Sequence, residues 1–140
     1  MQSSSVYNDN NANFGPYFGW IGGSLTSAKP FRSKREENPW LQFHFAKIQV
    51  AGIVVTNRKD VAEDRFQDIE VRAGLVSEPL YNEVVGTFVG RGATGGDHYI
   101  GFTSIIVSKY ITIQVKRRNA QLVINGVKIT GRGIIQYLRK

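Results

Sequence analysis

The stretch NPWLQFHFAKIQVAGIVVTNRKD, residues 38–60, carries the pattern on which the fold turns. From Trp40 onward side chains alternate, with Leu41, Phe43 and Phe45 on one face and Trp40, Gln42 and His44 on the other. A period of two is the signature of a β-strand with one face packed on a core. From Lys47 to Asn57 the apolar run becomes nearly continuous, as in a mostly buried strand. It then stops at a turn dense in charge, where TNRKDVAEDRF (56–66) holds Arg58, Lys59, Asp60, Glu63, Asp64 and Arg65. Charges of both signs behind a buried strand suit either a solvated turn or a loop that grips a ligand.

The same period continues downstream. QDIEVRAGL places Ile69, Val71 and Ala73 inward, and YNEVVGTFV, HYIGF, TSIIV, KYITIQVK and QLVINGVKI read as further strands. No segment of a dozen residues carries a helical stripe, and VAEDRF is too short to be more than a turn. The 15 glycines punctuate the strands, most densely in GRGATGGDH. Regular short strands between turns predict an all-β antiparallel sandwich of the jelly-roll type with about eight strands. The first 39 residues lack sustained alternation and hold six aromatics, Tyr7, Phe14, Tyr17, Phe18, Trp20 and Phe31. They are expected to form an ordered but irregular segment. Tyr17, Phe18 and Trp20 suit either a binding rim or a lid on the open end of the core.

The bulk properties narrow the chemistry. A chain of 140 residues with 41% hydrophobic residues supports one core. No window approaches the roughly 18 apolar residues of a membrane-spanning helix, and the opening MQSSSVYNDNN has no basic start or apolar centre of a secretory signal. There is no cysteine, so disulfides, thiolate metal sites and thiol nucleophiles are excluded. His44 and His98 fall in different segments, which leaves little for a triad or a His-rich metal site. The GRGATGG loop has no strand-to-helix context for a phosphate loop. These features argue against an enzyme.

The net charge of +7 is unevenly distributed. Residues 101–140 contain eight Lys and Arg and no acid, whereas residues 1–100 contain ten bases and eleven acids. Such a basic third suits an anionic surface, although Lys116, Arg117 and Arg118 lack the interleaved aromatics of a nucleic-acid stacking face.

Taken with SSVYNDNNANFGP, FQDIEVRAGL, VVGTFVGRGATGG and YITIQVKRRNAQLVINGVKITG, the quoted stretch resembles the discoidin, or coagulation factor V/VIII type C, domains in five segments and in their order. The resemblance runs to about Gly131, leaving residues 132–140 as a basic C-terminal extension. Within that superfamily the charged turn looks most like the F-type, fucose-binding lectins, whose Arg-x-Asp-x4-Arg motif is matched by Arg58, Asp60 and Arg65. The resemblance implies that Arg58 and Arg65 donate hydrogen bonds to sugar hydroxyls while Asp60 holds Arg58 in place, a task suited to rigid guanidinium forks. Arg32, Lys34 and Arg91 are implied neighbours. Phe31 stands where those lectins carry a sugar-contacting histidine, and Val61 and Ala62 stand where they carry a cysteine pair. Phe18, Ile21 and Gly126 replace the calcium ligands, and Val84, Val85, Ile106 and Asn125 replace other cysteines, so neither a lectin-type calcium site nor a disulfide is expected.

The same trio also reads as a salt-bridge cluster that pins the turn. His44 is expected on an outer strand face and Trp40 at a packing edge. The expected function is a non-catalytic carbohydrate-binding module for a fucose- or galactose-like sugar or an anionic polysaccharide. It is expected without a cofactor, at the cell surface or outside the cell, and multivalent, because single sugar sites are weak. The alternative is an adhesion or scaffold domain that grips protein, anionic polysaccharide or acidic membrane through basic surface and aromatic loops.

Overall fold

The computed structural model describes residues 2–6, 9, 19–21, 24–56, 67–91 and 97–131, with 19–21, 24–30, 91 and 125 described by backbone alone. Eight strands are present among them: β1 (Gln2–Ser3), β2 (Gly19–Ile21), β3 (Ser24–Arg32), β4 (Trp40–Thr56), β5 (Gln67–Gly74), β6 (Val84–Arg91), β7 (Asp97–Val115) and β8 (Val123–Thr130). They hydrogen-bond in the order β2-β3-β8-β4-β7-β5-β6, with β1 on β4, and every pairing is antiparallel.

Two strands serve both layers of this sandwich. Residues 40–44 of β4 pair with 110–114 of β7, whereas residues 48–56 pair with 97–108 of β7 and, from Gly52, with β8. Between the halves the register slips at His44/Ile48 and again at Val50/Gly52. Such bulges bend a strand and increase its twist, so one long ribbon can turn from one layer into the next. Phe43 and Leu41 from the first half of β4, Ile53 and Val55 from the second, Ile69 and Val71 of β5, Ile111 and Ile113 of β7 and Ile129 of β8 meet in a single buried cluster. The layers therefore face each other across one core, which with no cysteine in the chain is held by packing.

Three sequence expectations are corrected. WLQFHFA and KIQVAGIVVTN form the one strand β4, and HYIGF, TSIIV and KYITIQVK form the one strand β7, because the polar interruptions fall at bends rather than turns. The N-terminal 39 residues contribute β1, β2 and β3, so the count of eight is reached with a different membership. Backbone pairing with β8 makes β3 a strand despite its missing alternation. Gln42, assigned to the outer face, is buried at 2% exposure. Its Nε2 donates to Ser77 O at 3.0 Å, because the β5–β6 connection folds back over that face. Asn82 holds the connection shut, accepting from Val76 N at 3.0 Å and donating to Val76 O at 2.8 Å. As expected, Ile69, Val71 and Ala73 are buried, and His44 is exposed, stacked on Tyr110 with ring centroids 4.6 Å apart.

Candidate functional site

Register decides where the charged turn begins and ends. Thr56, the last residue of β4, pairs with Asp97, the first of β7, and also with Gly126 of β8. Gln67, the first residue of β5, pairs with Arg91, the last of β6. Segments 57–66 and 92–96 thus start and finish on the same two strand pairs, and both are rooted at one rim of the sandwich. Arg58, Asp60 and Arg65 lie outside the described residues, as do Val61, Ala62, Phe18 and the extension 132–140. Arg91 is placed by its backbone opposite Gln67.

The described residues at this rim are held by polar contacts. The Thr56 hydroxyl donates to Asp97 Oδ1 at 2.6 Å, tying the end of β4 to the start of β7. Arg117 Nη1 donates to Gln67 Oε1 at 2.7 Å, and Lys116 N donates to Asp68 O at 2.8 Å. Asp68 adopts a left-handed backbone (φ 54°) at the Gln67/Ile69 bulge, and its Oδ1 accepts from the N–H of Gly90, itself at φ 85°. An aspartate and a glycine are the residue types that take such conformations at least cost. The rings of Phe88 and His98 approach to 5.1 Å at 59°. On the outer face of β5 and β6 a small depression of about 130 Å³ is lined by Asp68, Ile69, Glu70, Phe88, Val89 and Lys116, together with Thr87.

Arg32 and Lys34 are described in full. Arg32 closes β3 opposite Val123, three residues along β8 from the partner of Thr56, and its Nη2 lies 3.5 Å from Gln121 Oε1. Lys34 is exposed and pairs with Asp9 at 2.7 Å. Phe31 is fully buried in the core, so the position matching the lectin histidine presents no side chain to solvent. Gly126, matched to a calcium ligand, sits beside Thr56. Sequence reasoning passed over Asp97 and Arg117. The first stands beside a glycine-rich loop and the second in a basic run, and only pairing across the chain brings each to the rim.

No family model matches this chain, and no curated protein does. Solved structures do. The chain is similar to a fucolectin from striped bass serum, with TM-score 0.74 and 22% identity over 92% of this chain, although it spans only 45% of that one. It is also similar to a Clostridium perfringens carbohydrate-binding module in complex with GalNAc-β-1,3-galactose, with TM-score 0.73 and 8% identity over 93% of each chain. A third match is the F5/8 type C domain of a Bacteroides fragilis protein, with TM-score 0.65 and 13% identity over 91% of this chain and 87% of that one. Similarity to these three structures over more than nine-tenths of the chain gives it the discoidin-like, galactose-binding-domain fold.

Proposed function

We propose that this protein is a non-catalytic glycan-binding module whose sugar site lies at the rim where β4, β5, β6 and β7 end, with Arg58 and Arg65 as hydrogen-bond donors and Asp60 as the acid that orients Arg58. The observation that carries this reading is the register. Thr56 opposite Asp97 and Gln67 opposite Arg91 anchor the segment bearing the three residues to a rigid scaffold beside a second glycine-rich connection. Loops on a stiff frame are where binding groups gather. Similarity to a fucolectin and to a carbohydrate-binding module supports the same reading. Arg91, and Arg32 at its distance along β8, are the candidate neighbours, and Lys34 stands further out. Residues 132–140 serve as a basic C-terminal extension, and the module works at the cell surface or outside the cell as part of a multivalent assembly. A printed glycan array probed with wild type, Arg58→Ala and Arg65→Ala tests the assignment. Binding of a fucose- or galactose-bearing glycan by wild type, lost in both variants, is expected; equal binding by all three overturns it.

One observation favours a second reading, an anionic glycan or another anionic surface. Backbone and side-chain bonds from Lys116 and Arg117 to Asp68 and Gln67 bring the Lys116–Arg118 run to the same rim. Retention on a sulfated polysaccharide that collapses between 50 mM and 200 mM salt identifies this reading, because released counterions make such binding salt-dependent. Salt-insensitive binding of a neutral sugar identifies the first.

A further inference from the structure

On the outer face of the β8-β4-β7 layer, two residues in from the Thr56–Asp97 pair at the rim, an exposed tyrosine ring lies across two glycines. Gly52 of β4 and Gly101 of β7 are direct cross-strand partners. A Cβ on Gly52 would fall 2.8 Å from Tyr99 Oη and 3.0 Å from Tyr99 Cε1, and one on Gly101 would fall 3.1 Å from Tyr99 Cε2. The ring thus spans both positions, one edge over each glycine, in space that any other residue pair would fill. It nonetheless remains 60% exposed. A tyrosine that merely covered a gap would be mostly buried, whereas this one has a floor beneath it and solvent above.

The surroundings are polar and evenly spread. Tyr99 and Lys128 both pair with Val54, which sets them on opposite sides of one strand and about 10 Å apart. Two residues along, about 7 Å away, the Thr56 hydroxyl meets Asp97. On the other side Thr130 pairs with Gly52 and donates its hydroxyl to Gly52 O at 3.0 Å. A flat aromatic ring with a cation, a carboxylate and hydroxyls at its margin is the composition of a saccharide subsite. The apolar C–H face of a pyranose packs on the ring, and the peripheral groups take its hydroxyls. The patch is also continuous with the rim, because Thr56–Asp97 belongs to both.

We infer that Tyr99, seated on Gly52 and Gly101 and flanked by Lys128 and Thr130, is a second saccharide subsite that receives the continuation of a neutral glycan chain whose terminal sugar is held at the rim. This inference rests on the glycan-binding reading above and extends it from a terminal monosaccharide to an oligosaccharide laid over the sheet face. Affinity electrophoresis through gels containing galactan, xylan or β-glucan, beside titration with free fucose and galactose, tests it on wild type, Tyr99→Ala, Tyr99→Trp and Arg58→Ala. Tyr99→Ala should weaken polysaccharide binding roughly tenfold while leaving monosaccharide binding intact, Tyr99→Trp should preserve or strengthen it, and Arg58→Ala should lose both. Folding of each variant is checked by near-ultraviolet circular dichroism. Equal retardation of Tyr99→Ala and wild type, or monosaccharide binding by wild type with no polysaccharide retardation, overturns the Tyr99 subsite and leaves the rim standing. Wild type that binds neither monosaccharide nor polysaccharide overturns both.

Discussion

Adding one methyl group at Gly52 and one at Gly101 should give opposite kinds of damage, although the two glycines face each other across the same strand pair. At Gly52 the new Cβ would sit 2.8 Å from the carbonyl oxygen of Ile100, a backbone atom fixed in the ladder, as well as 2.8 Å from Tyr99 Oη. The ring can turn aside, but the carbonyl cannot without disturbing the β4–β7 pairing that joins the two layers. Overpacking of this kind costs about 1–3 kcal/mol. At Gly101 the nearest atoms all belong to the Tyr99 side chain, at 3.1 Å and beyond, so a small tilt of the ring relieves the contact. For 140 residues the entropy of unfolding is about 0.3 kcal/mol per degree, so about 2 kcal/mol corresponds to a Tm loss of about 7 °C for Gly52→Ala, against at most about 3 °C for Gly101→Ala. Differential scanning calorimetry measures both. Gly101→Ala should instead impair polysaccharide retardation, since the platform is tilted while the fold survives. If the two variants melt together, the clash with the Ile100 carbonyl is not what fixes glycine at position 52.

Thr112→Val should raise stability by about 1 kcal/mol, or about 3 °C in Tm, because the Thr112 hydroxyl is buried with no hydrogen-bond partner and valine fills the same space without it; a lower Tm refutes this. Asn82→Ala should cost about 2 kcal/mol in urea unfolding, since it frees both the N–H and the carbonyl of Val76 and opens the connection that covers Gln42. Arg117→Ala should cost about 1 kcal/mol and also reduce glycan affinity, because its bond to Gln67 holds the residue at which the 57–66 segment ends; unchanged affinity removes Arg117 from the supporting frame. Lys34→Ala should change Tm by less than about 1 °C, as both members of the Lys34–Asp9 pair are largely solvated.

What could be read from the sequence, and what could not, follows from the range of the forces involved. Alternation is a local property, and it assigned Leu41, Phe43 and Phe45 to the core and His44 to the surface without reference to any distant residue. Gln42 obeyed the same alternation and is buried because Ser77, 35 positions later, comes to its amide. β3 carried no pattern of its own and exists because β8 offers it a hydrogen-bonding edge. The breaks within β4 and β7 looked like turns because a bulge and a turn interrupt apolar periodicity in the same way.

The candidate sites divide along the same line. Arg58, Asp60 and Arg65 stand out in sequence as a compact motif, since their close spacing along the chain is itself the signal. Tyr99 gives no such signal. Within HYIGF it is one aromatic among alternating residues, and nothing nearby distinguishes it from a residue that caps a strand. Its standing depends on Gly52, 47 positions earlier, being paired with Gly101, so that two absent side chains fall together under one ring. A bulge between Val50 and Gly52 sets that register, and shifting the pairing by one residue would bring a larger side chain opposite one of the two glycines. The sheet-face platform is therefore a product of strand pairing rather than of composition. Lengthening or deleting the bulge should dismantle it and, because Thr56 and Asp97 pair in the same register segment, should loosen the root of the rim as well.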